Sequence, residues 1–369
     1  MKVGIFTFPN STSYGATLQM YALYNAVNCL GHESEIINYH NAYMKAEKHK
    51  TAHTSGLSGV AKKAVSDLLH FPMKCRFRSF EKRRMTAFPK RSIDIPQTLY
   101  RLNERYDAVI CGSDQVWNPD ITNHDLSYFL DFCDSRTRRI SYAPSFGVKS
   151  LSDDFSQSVA RELALYHAIS VRESTGQELI SKLIGREVPI VLDPTMLLTA
   201  NQWKELEQPH PVAKGAYILY YAVKSSTSLM KFCKQLSANT GIKIVVVGGN
   251  PITSLQNRDR MVEYAVDISP EQWLYLMRNA AYVVTNSFHG TAFSVNFRKN
   301  FYVEFSSLTN SRLEHIIQML ELEDCVVQCD TDAVAKDTNY AAVDRKLPCL
   351  IADSIKYLEC ALEEGRAHG

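Results

Sequence analysis

Short apolar and β-branched runs alternate along this chain with longer segments of helical periodicity, and this alternation restricts the fold more than any other feature. The run at 3–8 predicts a strand, and the segment 15–30 predicts a helix that Gly31 ends. Such a chain forms a mainly parallel sheet that helices cover on both faces. The same patterns predict strands at 35–39, 107–111, 139–143, 168–172 and 189–192, and helices at 153–167 and 175–184.

A polar segment at 205–211 interrupts the alternation, which then begins again. The second set predicts strands at 216–223, 242–247, 282–285 and 301–305, and helices at 228–238, 270–280, from 290, from 311 and at 348–364. We therefore predict an α/β protein with two Rossmann-like, doubly wound domains that face a cleft. The N-terminal domain would cover 1–207 and the C-terminal domain 208–347, with a helix at 348–369 that packs back on the N-terminal domain.

Residues 41–91 do not fit the alternation and predict an insertion in the N-terminal domain. Its start, at 45–50, is polar and predicts a loop. Its later part interleaves basic residues with Phe77 and Phe80, which share one face of a helix. We expect an amphipathic helix that packs on the domain and keeps a solvated basic side. The alternative is a surface that binds anionic lipid headgroups or an anionic glycan.

The composition is that of an ordinary globular protein, with 45% apolar and 22% charged residues. A net charge of +2 gives no reason to expect a nucleic-acid partner. The nine cysteines are scattered without a C-x-x-C pair, which favours reduced thiols in the cytoplasm and predicts no metal site. No apolar run is long enough to span a bilayer, and residues 1–6 are typical of a strand rather than of a leader.

The segment 282–291, with the sequence YVVTNSFHGT, carries the clearest chemical signal. A buried strand here delivers His289 to the start of a helix, and an imidazole moves protons near neutral pH. The first N–H groups of that helix, among them those of Gly290 and Thr291, would hold an anion beside it. The alternative is that His289 only fills a hydrogen-bonding niche at the end of the strand.

A second polar cluster follows the predicted strand at 107–111 directly. Asp114 and Gln115 would hydrogen-bond sugar hydroxyls, and Trp117 would stack on the apolar face of a sugar ring. Open parallel sheets bind ligands at the carboxyl ends of their strands, which favours this interpretation. The alternative is that Asp114 caps a turn and Trp117 fills the core.

Two arginines are candidates for binding anions. Arg172 follows the predicted strand at 168–172, where its guanidinium would bind a carboxylate or phosphate, or else form a salt bridge with Glu173 or another neighbour. Arg312 and Asn310 lie at the start of the helix predicted from 311, and would bind an anion or a hydroxyl. Asp193 is expected to cap the helix that follows it.

Taken together, several ordered segments resemble the polysaccharide pyruvyl transferase family. They extend over about 1–320 and comprise 14–19 (YGATLQ), 112–117 (GSDQVW), 142–147 (YAPSFG), 171–173 (VRE), 193–195 (DPT), 287–290 (SFHG) and 310–312 (NSR). The resemblance implies a GT-B-like fold with no cofactor or metal. It also implies transfer of pyruvate from phosphoenolpyruvate onto two hydroxyls of one hexose in a bacterial capsular polysaccharide, an exopolysaccharide or a precursor.

The resemblance also assigns roles to residues. His289 would be the principal acid or base, and Asp114 a second base. The donor would be bound by Arg172, Arg312, Asn310, Ser287, Gly290 and Thr291, although some members of the family carry an arginine where this chain has Ser287. The acceptor would be bound by Gln115, Trp117, Asn118, Tyr14 and Gln19.

The expected partners are phosphoenolpyruvate and a saccharide or lipid-linked oligosaccharide, in a cytoplasmic enzyme with a peripheral contact to the inner face of the membrane. The alternatives are a GT-B glycosyltransferase that uses a nucleotide sugar, and a glycan-binding protein without catalytic activity. Release of phosphate from phosphoenolpyruvate in the presence of an acceptor would distinguish the predicted enzyme from both.

Overall fold

The computed structural model describes residues 1–41, 43, 69, 71–248, 251–305, 311–328 and 331–363, which form two units. The N-terminal unit contains residues 1–41, 81–197 and 349–363, and the C-terminal unit contains 71–80 and the described part of 198–348. The polar segment 205–211 lies inside the C-terminal unit rather than at its boundary. Just before it, Trp203 packs edge-to-face against Phe293 of the same unit, with ring centroids 5.0 Å apart.

The N-terminal unit is built on a five-stranded sheet in the order β3-β2-β1-β4-β5, with every pairing parallel. Its strands are β1 (Lys2–Phe6), β2 (Glu33–Tyr39), β3 (Ala87–Ile93), β4 (Ala108–Cys111) and β5 (Arg138–Ser141). Its helices are α1 (Tyr14–Cys29), α3 (Pro119–Thr122), α4 (Asp153–Ala164) and α5 (Ser174–Ile184), with 3₁₀ turns at Pro96–Glu104, Leu126–Phe129 and Pro194–Met196. Helix α2 (Phe71–Arg84) has residues in both units.

The C-terminal unit repeats this arrangement in a second parallel sheet, in the order β10-β9-β6-β7-β8. Its strands are β6 (Tyr217–Tyr221), β7 (Lys243–Val247), β8 (Val262–Ala265), β9 (Tyr282–Thr285) and β10 (Asn300–Val303). Its helices are α6 (Ala200–Lys204), α7 (Thr227–Thr240), α8 (Pro251–Gln256), α9 (Pro270–Asn279), α10 (Phe288–Asn296) and α11 (Ser311–Met319), with a 3₁₀ turn at Glu323–Cys325. The predicted fold class, with two doubly wound parallel sheets, is confirmed.

Each unit has its own apolar core beside its sheet. Phe6, Val109 and Trp117 belong to the core of the N-terminal unit, and Ile218 and Val284 to that of the C-terminal unit. Each core is therefore built from the strands of its own sheet and from the segments that pack on them.

Two of the predicted strands do not extend the first sheet. The segments 168–172 and 189–192 form only isolated bridges, which join Ile140 to Ala168 and Val171 to Ile190. Next to the first bridge, the hydroxyls of Ser141 and Ser170 each donate to the carbonyl of the other at 3.0 Å. Such side-chain bonds compete with a regular strand ladder, and the strand pattern is interrupted here.

The edge strand β3 was not predicted, because it falls in the segment 41–91 and contains Pro89 and basic residues. An edge strand tolerates proline since one of its sides has no strand to bond. Phe77 and Phe80 of α2 are buried, as expected for an amphipathic helix, but both belong to the C-terminal unit. The loop predicted at 45–50 lies outside the described residues.

The last helix, α12 (Ala341–Glu363), begins earlier than predicted and contains Pro348. From Cys349 onward it belongs to the N-terminal unit. There, the hydroxyl of Ser354 accepts a hydrogen bond from the backbone N–H of Leu192 at 3.0 Å. The hydroxyl of Tyr357 donates to the carbonyl of Ser141 at 2.8 Å, so the helix is fastened to two segments of that unit. Within the described chain, no helix has the length and apolar character needed to cross a membrane.

Candidate functional site

Asp114 and His289 occupy corresponding places in the two units. In each sheet the first strand of the unit, β1 or β6, is paired on one side with the fourth strand, β4 or β9. Asp114 follows β4 and His289 follows β9. The direction in which strands are added reverses at this pair, and open α/β sheets bind ligands at the carboxyl ends of such strands. Topology therefore places both predicted groups where a ligand site is expected.

The loop before His289 is fastened to the end of β6. Thr285, the last residue of β9, donates its hydroxyl to the carbonyl of Tyr221 at 2.6 Å and accepts from the N–H of Ser287 at 3.0 Å. The side chain of Asn286 accepts from the N–H of Val223 at 2.9 Å. The side chains of Thr285 and Asn286 thus bond the backbone at the end of β6. These bonds fix the direction in which the chain enters α10.

Ser287 caps α10, and this changes the predicted anion site. Its hydroxyl accepts from the N–H of Gly290 at 3.2 Å, and its carbonyl accepts from the N–H of Thr291 at 3.0 Å. Both N–H groups that were predicted to bind the donor anion are therefore engaged within the helix. Gly290 instead permits a close approach, since a Cβ there would lie 2.3 Å from Oγ1 of Thr285.

His289 lies in the first turn of α10 and is 8% exposed. Its ring packs edge-to-face against that of Phe288, with centroids 5.2 Å apart. Tyr221 lies close by, and burial raises the pKa of its hydroxyl to about 12, although a hydrogen bond with Ser287 lowers it. The imidazole thus packs against Phe288, and the Tyr221 hydroxyl bonded to Ser287 stays protonated at neutral pH.

In the N-terminal unit, a cavity of about 340 Å³ opens at the carboxyl ends of β1, β2 and β4. Its polar lining includes Ser11, Ser13, Asn41, Asp114 and Gln115. Hydroxyls, amides and a carboxylate are groups that hydrogen-bond sugar hydroxyls. The cavity therefore brings together the predicted Asp114 and Gln115 with side chains of the loop at 9–13.

The aromatic surface of this cavity comes from Phe8, Tyr39 and Tyr128, which the sequence analysis did not select. The rings of Phe8 and Tyr128 lie edge-to-face at 5.3 Å, and the hydroxyl of Tyr39 donates to Asp125 at 2.6 Å. Tyr39 ends β2, next to β1 in the sheet. The rule that ligands bind at strand ends could have found it from the sequence.

Asp114 has a backbone φ of 75°, a value that residues other than glycine rarely adopt. Oδ1 of its carboxylate lies 3.7 Å from Nη2 of Arg172. Such backbone conformations persist where the surrounding structure enforces them, and they are concentrated at functional sites. The conformation turns Asp114 toward both the cavity and the buried guanidinium.

Arg172 is buried among three carboxylates. Its Nη1 lies 2.6 Å from Oδ2 of Asp193 and its Nε lies 3.9 Å from Oε2 of Glu173, in addition to the contact with Asp114. Burial alone would lower the pKa of Arg172, but Asp193, Asp114 and Glu173 raise it above its ordinary value. The alternative role, a salt bridge with Glu173 and other neighbours, therefore accounts for Arg172 better than binding of a donor anion does.

Asp193 also caps the 3₁₀ turn that follows it, as predicted. Its Oδ1 accepts from the N–H and the hydroxyl of Thr195, at 3.0 and 2.7 Å. Its Oδ2 accepts from the hydroxyl of Ser113 at 3.1 Å, next to Asp114. The carboxylate thus joins the segment after 189–192 to the loop after β4.

Two predicted acceptor ligands belong to the interior of the N-terminal unit. Trp117 is fully buried, stacks on Phe129 with centroids 5.2 Å apart, and donates from Nε1 to the carbonyl of Tyr128 at 2.9 Å. Gln19 is also buried, and its Oε1 accepts from the N–H of Ser113 at 3.1 Å. Both predictions are corrected, because these side chains make their contacts in the interior of the unit and do not line the cavity.

The remaining candidates have varied surroundings. Asn118 caps α3 and donates to Oε1 of Gln115 at 2.9 Å, so it supports a residue that lines the cavity. Tyr14 is the first residue of α1 and is buried. Arg312 lies in the first turn of α11 and is half-buried. Asn310 lies outside the described residues.

Comparison with known proteins identifies related sequences and folds. A family model described as polysaccharide pyruvyl transferase matches residues 14–303, which is most of the chain. No curated protein matches at a significant level. The match includes the loops that carry Asp114 and His289.

Several solved structures resemble the chain over nearly its whole length. A putative UDP-N-acetylglucosamine 2-epimerase from Listeria monocytogenes has 12% identity and a TM-score of 0.52, covering 98% of this chain and 90% of its own. The UDP-GlcNAc 2-epimerase from Methanocaldococcus jannaschii has 10% identity and a TM-score of 0.52, covering 99% and 94%. Anabaena HepE, in complex with UDP and glucose, has 8% identity and a TM-score of 0.51, covering 98% and 95%. At these identities the likeness shows a GT-B-like fold and nothing about substrates.

Proposed function

Because the chain belongs to the polysaccharide pyruvyl transferase family, we propose that it transfers pyruvate from phosphoenolpyruvate onto two hydroxyls of one hexose. The hexose belongs to a bacterial surface polysaccharide or its precursor, the product is a pyruvate ketal, and phosphate is released. The family match over residues 14–303 is the observation that carries this proposal. The placement of an imidazole and a carboxylate at equivalent strand ends supports it.

The reaction requires proton transfer at defined atoms. A proton added to C3 of the donor makes C2 electrophilic, and a sugar hydroxyl then forms a bond to C2 while it loses its proton. The bond from C2 to the phosphate oxygen breaks, and the second hydroxyl adds to C2 to close the ketal. Of the two hydroxyl protons, one replaces the proton used at C3 and the other leaves with phosphate. An acid, a base and cationic or N–H groups around the donor are therefore needed.

We assign the proton transfer at C3 to His289. Its imidazole can donate and regain a proton near neutral pH without a metal ion. Thr285 bonds the end of β6 and Ser287 caps α10, so the backbone that carries His289 is fixed. A fixed donor reduces the reorganisation that proton transfer would otherwise require.

We assign the acceptor to the cavity of the N-terminal unit. Asp114 would accept the proton of the attacking hydroxyl, and Gln115 would hydrogen-bond a second hydroxyl. Asn118 orients Gln115 through the bond at 2.9 Å. Arg312 and Asn310 remain the proposed ligands of the donor anions. Arg172 is assigned the positioning of Asp114, because three carboxylates already surround it.

The proposal places the enzyme in the cytoplasm with a saccharide or a lipid-linked oligosaccharide as acceptor. The scattered cysteines, without a C-x-x-C pair, are what supports a reducing compartment. A lipid-linked acceptor would require the enzyme to work at the inner face of the membrane.

The reaction is tested by incubating the purified chain with phosphoenolpyruvate and a panel of free, nucleotide-linked and lipid-linked hexosides. We expect phosphate release that depends on the acceptor, and a product heavier by one ketal-bound pyruvate. Transfer from a nucleotide sugar with no response to phosphoenolpyruvate would instead identify a glycosyltransferase. Glycan binding without turnover of any donor would identify a protein without catalytic activity.

The role of His289 is tested with His289→Gln, which keeps a polar side chain of similar length but cannot transfer a proton in this way. We expect a loss of kcat of at least about 100-fold, the usual contribution of a general acid. The matched control is His315→Gln, because His315 is a half-buried histidine on α11 of the same unit. The kcat of this variant should stay within about twofold of that of the wild type. An unchanged kcat in His289→Gln, with the fold intact by circular dichroism, would exclude the assignment.

A further inference from the structure

Charge is distributed very unevenly along this chain. Residues 41–91 contain thirteen lysines and arginines but only three acidic residues, a net charge of +10. The whole chain carries +2, so all other residues together carry −8. A nearly neutral protein thus consists of one strongly basic segment and a body that is acidic overall.

The described part of this segment is dominated by α2. Phe77 and Phe80 are buried and fix one side of the helix against the protein. Arg78 and Lys82 are exposed on the opposite side, and Arg76 and Arg83 are exposed along its borders; we call these four residues the basic face. Glu81 is the one acidic residue among the fourteen of the helix. The packing of α2 therefore does not account for its exposed basic side chains.

An exposed aromatic residue lies in line with these cations. Phe71 is 58% exposed at the first position of α2. Residues spaced by three or four positions share one helix face, so Phe71 lies on the same side as Arg78 and Lys82. Lysine and arginine beside an aromatic side chain are characteristic of helices that lie in the headgroup region of a bilayer. An anionic glycan in water would match the cations but would offer Phe71 only the apolar face of a sugar ring and no acyl region to enter.

We propose that the basic face of α2, together with Phe71, docks the protein on an anionic phospholipid surface. An anionic surface attracts the basic segment 41–91 and repels the rest of the chain, which is acidic. Charge therefore determines both that the protein binds and which side of it faces the lipid. Each basic side chain near such a surface contributes roughly a fivefold gain in affinity, and the attraction extends only about one Debye length, ~8 Å at physiological salt. The inference adds a partner to the proposed function but needs no substrate turnover.

The test is sedimentation of the full chain with vesicles of phosphatidylcholine alone or with about one quarter phosphatidylglycerol. We expect binding only to the anionic vesicles, and release when salt is raised from about 0.1 to 0.5 M, because screening shortens the attraction. Binding that is equal on both vesicles, or unaffected by salt, would overturn the proposal. So would retention on an anionic polysaccharide without any binding to anionic vesicles.

Variants test the surface itself. Arg78→Glu with Lys82→Glu should weaken binding to anionic vesicles at least about 25-fold, from the fivefold effect per charge. The matched control is Lys149→Glu with Lys182→Glu, which makes the same change in net charge at exposed sites of the N-terminal unit and should bind within about threefold of the wild type. An equal loss in both pairs, or none in the first, would overturn the assignment to α2.

A second variant, Phe71→Ser, keeps every charge and should weaken binding about fivefold. It covers the case in which the double charge reversal disturbs folding, which thermal unfolding would detect. Both α2 variants should turn over a water-soluble acceptor at the wild-type rate. Failure of vesicle binding with intact turnover therefore refutes only this inference, and absence of turnover refutes only the proposed function.

Discussion

Replacing Arg172 by methionine tests whether this arginine holds a structural cluster of carboxylates together or binds the donor substrate. At an effective dielectric constant of about 20, a contact of 2.6 Å with Asp193 is worth roughly 6 kcal/mol of direct attraction, and the contacts at 3.7 and 3.9 Å roughly 4 kcal/mol each. Desolvation of the guanidinium and repulsion among the carboxylates offset much of this attraction. Removing one partner of a buried pair costs about 3–5 kcal/mol, because the remaining charges stay buried. We expect Arg172→Met to lower the free energy of unfolding of the N-terminal unit by that amount.

The assay is equilibrium unfolding in urea, followed by circular dichroism and by tryptophan fluorescence, to which Trp117 contributes from the N-terminal unit. The matched control is Arg136→Met, because Arg136 also lies 2.6 Å from a carboxylate, that of Asp134, but is exposed. Its unfolding midpoint should stay near that of the wild type. If Arg172→Met leaves stability unchanged and selectively abolishes phosphoenolpyruvate binding, the structural reasoning is refuted and the guanidinium is a donor ligand.

Three further predictions concern stability. Burial, Glu162 and Asp125 raise the pKa of Asp131 from 3.8 to about 6, so its ionisation destabilises the fold increasingly between these pH values. The Asp131→Asn variant should therefore become more stable than the wild type as pH rises through about 6, by ~1–2 kcal/mol after allowing for partial exposure. The measurement is Tm against pH, and Asp120→Asn, at an exposed position, should show no such trend. Gly290→Ala should lose ~1–3 kcal/mol through its clash with Thr285, and a double-mutant cycle with Thr285→Ala that shows no coupling would contradict the clash. Trp117→Ala should lose ~3–5 kcal/mol in urea unfolding, whereas unchanged stability with a raised acceptor KM would restore the sugar-stacking role.

The sequence predicted the strands and helices whose patterns are regular. The strand at 282–285 agrees with the structure residue for residue, and Ser269 caps α9 with Pro270 at its first position, as predicted. Strand β3 escaped prediction because Pro89 and its basic residues are tolerated only at an edge, and an edge cannot be recognised before the strand order is known.

The candidate site was predictable to the extent that it depends on strand ends. Asp114 and His289 follow directly from that rule, and Asp114 lines the cavity with Gln115. The direction of a side chain within a loop is not encoded by its position after a strand. Trp117 therefore turns inward onto Phe129 although only one residue separates it from Gln115.

The C-terminal part of α12 has a consequence for the order of folding during synthesis. Ser354 and Tyr357 supply bonds to Leu192 and Ser141 from a stretch that leaves the ribosome more than a hundred residues later. A nascent chain that ends at residue 348 lacks these partners, while residues 198–348 have all been synthesised. Most of the N-terminal unit is thus translated first, but this unit is completed last. It requires residues 349–363, which are synthesised only after the C-terminal unit.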